Sequence, residues 1–194
     1  MPQKVLNDIF GYEKFRRGQL EVIESLLNNI HTLAVMPTGS GKSVCFQIPT
    51  LIKGGLTIVV SPLVALMEDQ VSALKLLGVE AETINSSRDR GVNITSWKRV
   101  VEGKVRLLYL SPERLMTERM ITALSDLPIN LIALDEAHLL SRWGPSFRTD
   151  YEELIRLRDI FPAVPIAALT ATADKTTQDD IVSKLFGGHG KVLV

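Results

Sequence analysis

Met36-Pro-Thr-Gly-Ser-Gly-Lys-Ser43 lies between an apolar run, Thr32-Leu-Ala-Val-Met36, and a stretch that can open a helix. Strand, glycine-rich loop, Lys-Ser and helix in that order read as a phosphate-binding loop. Gly39 and Gly41 permit a tight turn in which the N–H groups of Thr38, Gly39, Ser40 and Gly41 converge on one anion, and the helix beginning near Lys42 adds its positive end. Lys42 is expected to reach the outer phosphates of a nucleoside triphosphate, and Ser43 to offer its hydroxyl to Mg²⁺. Met36 occupies the place of the first glycine in the general G-x-x-x-x-G-K-[ST] pattern. The loop therefore needs support from elsewhere in the chain, and the alternative is a strand-to-helix turn that binds nothing.

Outward from this loop, apolar runs recur at 56–60, 81–84, 105–110, 130–135 and 165–170, most of them apolar on both faces. Helical spacing fills the intervals at 63–77, 95–101, 117–124, 151–160 and 176–185, and two helices, 4–10 and about 18–30, precede the loop. Leu20, Ile23, Leu26, Leu27 and Ile30 form the apolar stripe of the second. Strands with no wet face, alternating with helices, indicate an α/β fold: a parallel β-sheet flanked by helices on both faces, built as one domain over 1–194. Lys191 to Val194 would close the sheet. Ligands of such sheets gather at the carboxyl ends of the strands, where Thr38 to Ser43, Ser61, Ser111, Asp135, Glu136, Thr170 and Thr172 all fall.

The 194 residues suit one hydrophobic core, and 45% hydrophobic with 23% charged residues excludes global disorder. Lys plus Arg equals Asp plus Glu at 22 each, so any surface for nucleic acid must be a local patch. Cys45 is the single cysteine, which excludes a disulfide framework and a cysteine-built zinc site within the chain. No apolar run approaches the roughly 20 residues that span a bilayer, and no signal-peptide core opens the chain. A soluble intracellular protein without a membrane partner is expected: cytoplasm or nucleoid in a bacterium, nucleus in a eukaryote.

Leu131-Ile-Ala-Leu-Asp-Glu-Ala-His138 is a buried strand ending in two carboxylates. Asp135 suits an Mg²⁺ held through its water shell, and Glu136 suits polarising the water that attacks a γ-phosphate. His138 would couple this site to its neighbours or serve as a hydrogen-bonded structural residue. Before the loop, Phe10-Gly-Tyr-Glu-Lys-Phe-Arg-Arg-Gly-Gln19 supplies an aromatic, an arginine and a glutamine near a helix start. The Gln19 amide can read the amino edge and ring nitrogen of adenine while Tyr12 stacks on the base; capping and core contacts are the alternative. After the carboxylates, Leu139 to Tyr151 carries Arg142, Trp143, Phe147 and Arg148 in a Gly-Pro-broken stretch, suited either to stacking on bases or to packing under the next helix. Thr170 and Thr172 can hydrogen-bond the acidic motif or cap the following helix. Ser61-Pro62 and Ser111-Pro-Glu-Arg114 offer hydroxyls and free N–H groups to a nucleic-acid phosphate, or simply open helices.

Taken in order, Phe10-Gly-Tyr12 with Phe15-Arg16 and Gln19, Met36 to Ser43, Val60-Ser-Pro-Leu63 with Asp69-Gln70, Tyr109-Leu-Ser-Pro-Glu-Arg-Leu115, Asp135-Glu-Ala-His138, Trp143-Gly144 with Phe147-Arg148, and Ala168-Leu-Thr-Ala-Thr-Ala173 resemble superfamily 2 helicases, most closely the RecQ family of DNA helicases. The resemblance covers nearly the whole chain, and that family's phosphate loop also begins Met-Pro-Thr-Gly. It implies the first of two RecA-like lobes of an ATP-driven, 3′-to-5′ DNA-unwinding motor serving DNA repair and recombination. ATP and Mg²⁺ are the implied cofactors; single-stranded and forked DNA and a second lobe are the implied partners. It assigns adenine recognition to Tyr12, Arg16 and Gln19 within residues 1–31, and DNA-to-hydrolysis coupling to Trp143, Phe147 and Arg148. Leu139, Pro145 and Ser146 depart from the family pattern. The second lobe and its arginine finger are expected to lie outside this chain, leaving it weak in ATP binding and turnover alone. The alternatives are a non-hydrolysing nucleotide- or DNA-binding regulatory module, or another superfamily 2 translocase.

Overall fold

A computed structural model describes residues 1–142 and 147–194. In chain order the elements are α1 (Pro2–Asp8), α2 (Gln19–Leu27), β1 (Thr32–Val35), α3 (Lys42–Lys53), β2 (Leu56–Val60), α4 (Val64–Leu76), β3 (Ala81–Thr83), α5 (Arg90–Val101), β4 (Leu107–Leu110), α6 (Pro112–Leu115), α7 (Glu118–Ser125), β5 (Ile129–Leu134), α8 (Thr149–Glu152), α9 (Leu157–Ile160), β6 (Ile166–Thr170), α10 (Lys175–Phe186) and β7 (Lys191–Leu193). The strands form a seven-stranded sheet in the order β3-β4-β2-β5-β6-β1-β7. Every pairing is parallel. Because connections between parallel neighbours must cross over the sheet, helices cover both of its faces.

The strand sequences show how both faces become dry. Side chains alternate between faces with period two. Leu33 and Val35 of β1, Ile58 and Val60 of β2, and Ile132 and Leu134 of β5 enter one core, with Leu115, Leu124, Leu140, Tyr151 and Leu185. Ala34 of β1, Val59 of β2, Leu131 and Ala133 of β5 enter the other, with Val22, Leu26, Phe46, Met67 and Val71 from α2, α3 and α4. A smaller cluster, Leu6, Ile23, Val44 and Ile48, fastens α1 to the outside of α2 and α3. Strands this apolar would expose a greasy face in any antiparallel sheet open to water, so the sequence requires the two helical layers.

Several boundaries differ from the sequence reading. α2 ends at Leu27 because Asn29 adopts a left-handed conformation at φ 60° that breaks the helical path. Ile30 is consequently 43% exposed, and Leu20 is exposed as well, so neither belongs to the buried stripe. The continuous helix expected over 151–160 divides into α8, a 3₁₀ turn at Glu153–Arg156, and α9. Tyr151, Leu154 and Leu157 are all fully buried at a spacing of three, which a three-residue turn aligns on one side. α5 begins at Arg90, ahead of the expected Thr95. Among the described residues no helix is long and apolar enough to cross a membrane.

Candidate functional site

The loop after β1 takes the shape its glycines permit. Gly39 and Gly41 sit at φ 79° and 78°, and Gly41 caps α3 in a left-handed conformation with Lys42 as the first helical residue. A Cβ on Gly41 would lie 2.6 Å from Gln19 Nε2 and would displace that amide, and the positive φ itself calls for glycine. Gln19 is 4% exposed, and its amide is engaged at both ends. Its oxygen accepts from Arg16 N (2.8 Å), and its nitrogen donates to the carbonyls of Ser40 (3.1 Å) and Gly41 (3.0 Å). The Arg16 guanidinium donates to Gly39 O. Two residues expected at a nucleotide base thus tether the phosphate loop's main chain, while Tyr12 is 53% exposed.

Lys42 Nζ donates to Met36 O at 3.3 Å, folded back across the loop. Ser40 Oγ is buried without a partner among the described residues. A stranded hydroxyl, a lysine resting on a carbonyl and a left-handed glycine at a helix N-terminus fit a polyphosphate, which would satisfy the loop's donors.

β5 ends one strand away from β1, with β6 between them. At about 4.8 Å per strand this sets the carboxylates about 10 Å from the phosphate loop's strand. Asp135 is anchored on three sides. Its N–H donates to Val60 O (2.9 Å), its Oδ1 accepts from Glu136 N (2.9 Å), and its carbonyl accepts from the Tyr151 hydroxyl (2.9 Å). Burial, and next the charge of Glu136, hold the Asp135 carboxyl above the usual carboxylate range, while Lys42 pulls it down. Glu136 has φ 53°, a left-handed position that disfavours a residue with a Cβ by about 1–2 kcal/mol. Such strain concentrates where a side chain must be aimed. Among the described residues no three His, Cys, Asp or Glu side chains form a metal cage. A cation at Ser43 and Asp135 would therefore share its remaining positions with phosphate oxygens and water, the habit of Mg²⁺.

Thr170, at the end of β6, joins the two halves. Its carbonyl accepts from Met36 N (2.9 Å) at the start of the phosphate loop, and its hydroxyl lies 2.8 Å from His138 Nδ1. The same hydroxyl lies 3.1 Å from Thr172 O and accepts from Thr172 N (3.3 Å). Glu136 Oε2 is 3.4 Å from His138 Nδ1. His138, Thr170 and Thr172 are thus one network touching Glu136 on one side and the phosphate loop on the other.

The residues expected at nucleic acid are more dispersed. Ser61 and Ser111 are buried, and the exposed side chains near them include Leu63, Glu113 and Arg114. Arg142 pairs with Glu152 (2.7 Å) and lies 5.5 Å from the centre of the Phe147 ring; Arg148 pairs with Asp150 (2.9 Å). Trp143, with Gly144, Pro145 and Ser146, lies outside the described residues. The base of this loop is closed by Arg148 N donating to Leu139 O (2.9 Å) and by Ser141 Oγ donating to Asp180 (2.7 Å). Tyr151 and Asp180 went unnoticed in the sequence, where nothing distinguishes a tyrosine that grips the acidic turn from one that fills a helix face.

Residues 16–181 match the DEAD/DEAH box helicase family. The chain is 48% identical over 181 residues to an ATP-dependent DNA helicase RecQ of Haemophilus influenzae, covering 93% of this chain and 29% of that protein. It is 45% identical over 181 residues to an ATP-dependent DNA helicase RecQ of Pasteurella multocida, again 93% of this chain and 29% of the relative. Among solved structures it is similar to a hypothetical ATP-dependent RNA helicase from Sulfolobus tokodaii, with TM-score 0.75 and 19% identity, covering 100% of this chain and 57% of that one. The chain thus spans under a third of the length of these curated relatives.

Proposed function

The chain belongs to the DEAD/DEAH box helicase family, and from that premise we propose that it is the ATP-binding first motor lobe of a RecQ-like DNA helicase. One observation carries the reading. Thr170 hydrogen-bonds both the phosphate-loop strand, through Met36, and the acidic turn, through His138, so a single strand end links nucleotide-binding and hydrolytic groups.

In this reading the main chain of Thr38 to Gly41 cradles the phosphates, and Lys42 leaves Met36 O to reach the outer two. Ser43 and Asp135 hold Mg²⁺, which when bound neutralises charge on the β- and γ-phosphates. Glu136 orients water and accepts its proton. Tyr12 stacks on adenine, with Arg16 and Gln19 positioning the loop against it. His138, Thr170 and Thr172 report the state of this site to residues 139–148, where Arg142, Trp143, Phe147 and Arg148 meet single-stranded DNA. A second RecA-like lobe would supply the arginine that completes the site. The complete protein would translocate 3′ to 5′ and open forked DNA during repair and recombination, in the compartment that holds the genome.

The test is a calorimetric titration of this chain with Mg²⁺-ATP and Mg²⁺-GTP, with Lys42→Ala as control. Binding of ATP in preference to GTP, lost in Lys42→Ala, is the expected result. Equal binding of the two nucleotides would keep the loop and remove adenine recognition from residues 12–19; no binding by the folded chain would mean that the second lobe is needed to form the site, or that the chain is a regulatory module.

A further inference from the structure

At the far end of the sheet from the phosphate loop, a cavity of about 670 Å³ opens between α5 and α7. Its rim is basic and its floor is apolar. Arg88, Arg90, Arg114 and Arg119 line it around Trp97 and Met120. Arg88 is held by Glu68 at 2.6 Å and is already neutralised. Arg90, Arg114 and Arg119 are exposed, and their guanidinium groups make neither hydrogen bond nor ion pair among the described residues. The acidic residues nearest them in sequence, Asp89, Glu113 and Glu118, do not line the cavity. In a chain of formal net charge zero, an acid-free cavity ringed by unpaired arginines is a localised field and not a sample of the average surface.

The aromatic decides what kind of anion fits. Trp97 is half-buried: it packs against the main core and also lines the cavity. Its indole is therefore fixed in place and forms part of a concave wall. Ile94, on the same helix, is 55% exposed in that wall. A duplex presents phosphates but keeps its base faces stacked inside, which would leave Trp97 and Ile94 uncovered. A single strand offers both a flat base for an aromatic and phosphates for arginines, the pairing used by single-strand platforms.

The place in the fold fits as well. The cavity lies beyond the carboxyl ends of β3 and β4, on the same rim of the sheet as the phosphate loop but four to five strands away. That separation is about 19–24 Å, too far for a nucleotide at Lys42 to occupy both. Arg114 stands three residues beyond Ser111 at the carboxyl end of β4, so the cavity lies on the strand-end rim that also carries the acidic turn after β5.

From these observations we infer that the cavity between α5 and α7 is a second single-stranded nucleic-acid subsite, stacking one base on Trp97 and holding phosphates with Arg90, Arg114 and Arg119. The inference rests on the reading of the chain as a DNA-motor lobe, and extends its track beyond residues 139–148.

The experiment measures binding of fluorescein-labelled oligo-dT to the 194-residue chain by anisotropy across a salt series, with an abasic oligomer of the same length beside it. Trp97→Ala is expected to weaken oligo-dT roughly ten-fold, within the range found for single stacked bases, and to leave the abasic oligomer unchanged. Arg90→Gln with Arg119→Gln is expected to weaken both oligomers and to flatten the salt slope by about 1.4, the value for two lost phosphate contacts on a single strand. These arginines are exposed, so the double variant keeps the test decisive if Trp97→Ala loses its fold. Unchanged affinity and slope in the double variant, with the wild-type chain binding, would overturn the subsite while leaving the DNA reading intact. Absence of oligo-dT binding by a wild-type chain that still binds Mg²⁺-ATP would overturn both. Equal competition by poly-glutamate, or by anionic vesicles, would replace the single strand with an acidic peptide or a membrane surface and so refute the assignment.

Discussion

Replacing Gln19 by alanine separates two roles that the sequence alone merges. The structure shows the Gln19 amide bridging Arg16 N, Ser40 O and Gly41 O in a nearly buried position. Gly41 O retains a second donor in Val44 N at 3.2 Å, so the groups left stranded are Arg16 N and Ser40 O. Each stranded group costs about 1 kcal/mol, and lost packing raises the destabilisation to about 2–3 kcal/mol. For a urea slope of about 2–3 kcal/mol/M this moves the unfolding midpoint down by about 1 M, and the melting temperature by about 5–10 °C. Because the tether shapes the loop and not the base pocket, Gln19→Ala should weaken Mg²⁺-ATP and Mg²⁺-GTP together in a calorimetric titration. A residue that only reads adenine would behave oppositely, erasing the preference for ATP while leaving the urea midpoint alone. A midpoint shift smaller than about 0.3 M would refute the tether.

Thr170→Val keeps the branched shape but removes the hydroxyl shared by His138 and Thr172; it should lower unfolding free energy by about 1–2 kcal/mol in urea melts and leave Mg²⁺-ATP binding by Lys42 in place. On the proposed reading, Glu136→Gln should preserve ATP binding in calorimetry while reducing hydrolysis by the full-length protein about 10²- to 10⁴-fold, and a variant retaining full turnover would remove Glu136 from the proton-transfer role. His31 gives a pH signature. Its Nδ1 accepts from Ile166 N (3.0 Å), its ring stacks on Phe186, and burial, then Arg158, hold its pKa below the ordinary 6.5. The unfolded chain therefore binds a proton that the folded chain refuses, so stability should be flat above about pH 6.5 and fall as the pH drops below it. Urea midpoints from pH 8 to 5 measure this, and the slope should shrink in His31→Gln.

Much of the site lay open in the primary structure because it depends on short-range chemistry. The candidate phosphate loop is eight consecutive residues whose pattern is complete within itself, and the carboxylates at Asp135 and Glu136 stand out by ending an apolar strand. Both were readable without a partner. The buried strands were readable too, since a run apolar at every position has no orientation that leaves a face for water. What periodicity does not contain is strand order. Nothing in residues 32–36, 131–136 and 166–170 says that the third is inserted between the other two, yet that insertion makes Thr170 the hinge between Met36 and His138.

The same reasoning accounts for the contacts that the sequence left out. Gln19 is expected at a base from its chemistry, and its contacts with Ser40 and Gly41 are an addition that the sequence does not show, because they cross 21 and 22 residues and arise only when α2 is laid beside α3. Tyr151 looked like helix packing until its hydroxyl was found on the Asp135 carbonyl, sixteen residues back. Trp97 and the unpaired arginines come from α5, α6 and α7, three helices with individually ordinary sequences. By itself the sequence determined the architecture and the strand-end positions of the glycine-rich loop and the acidic pair, because backbone conformation and apolar burial are set locally. Tertiary structure alone decided which side chains meet, because a hydrogen bond or a stacking wall depends on positions to within tenths of an ångström, and the packing of the whole sheet sets them.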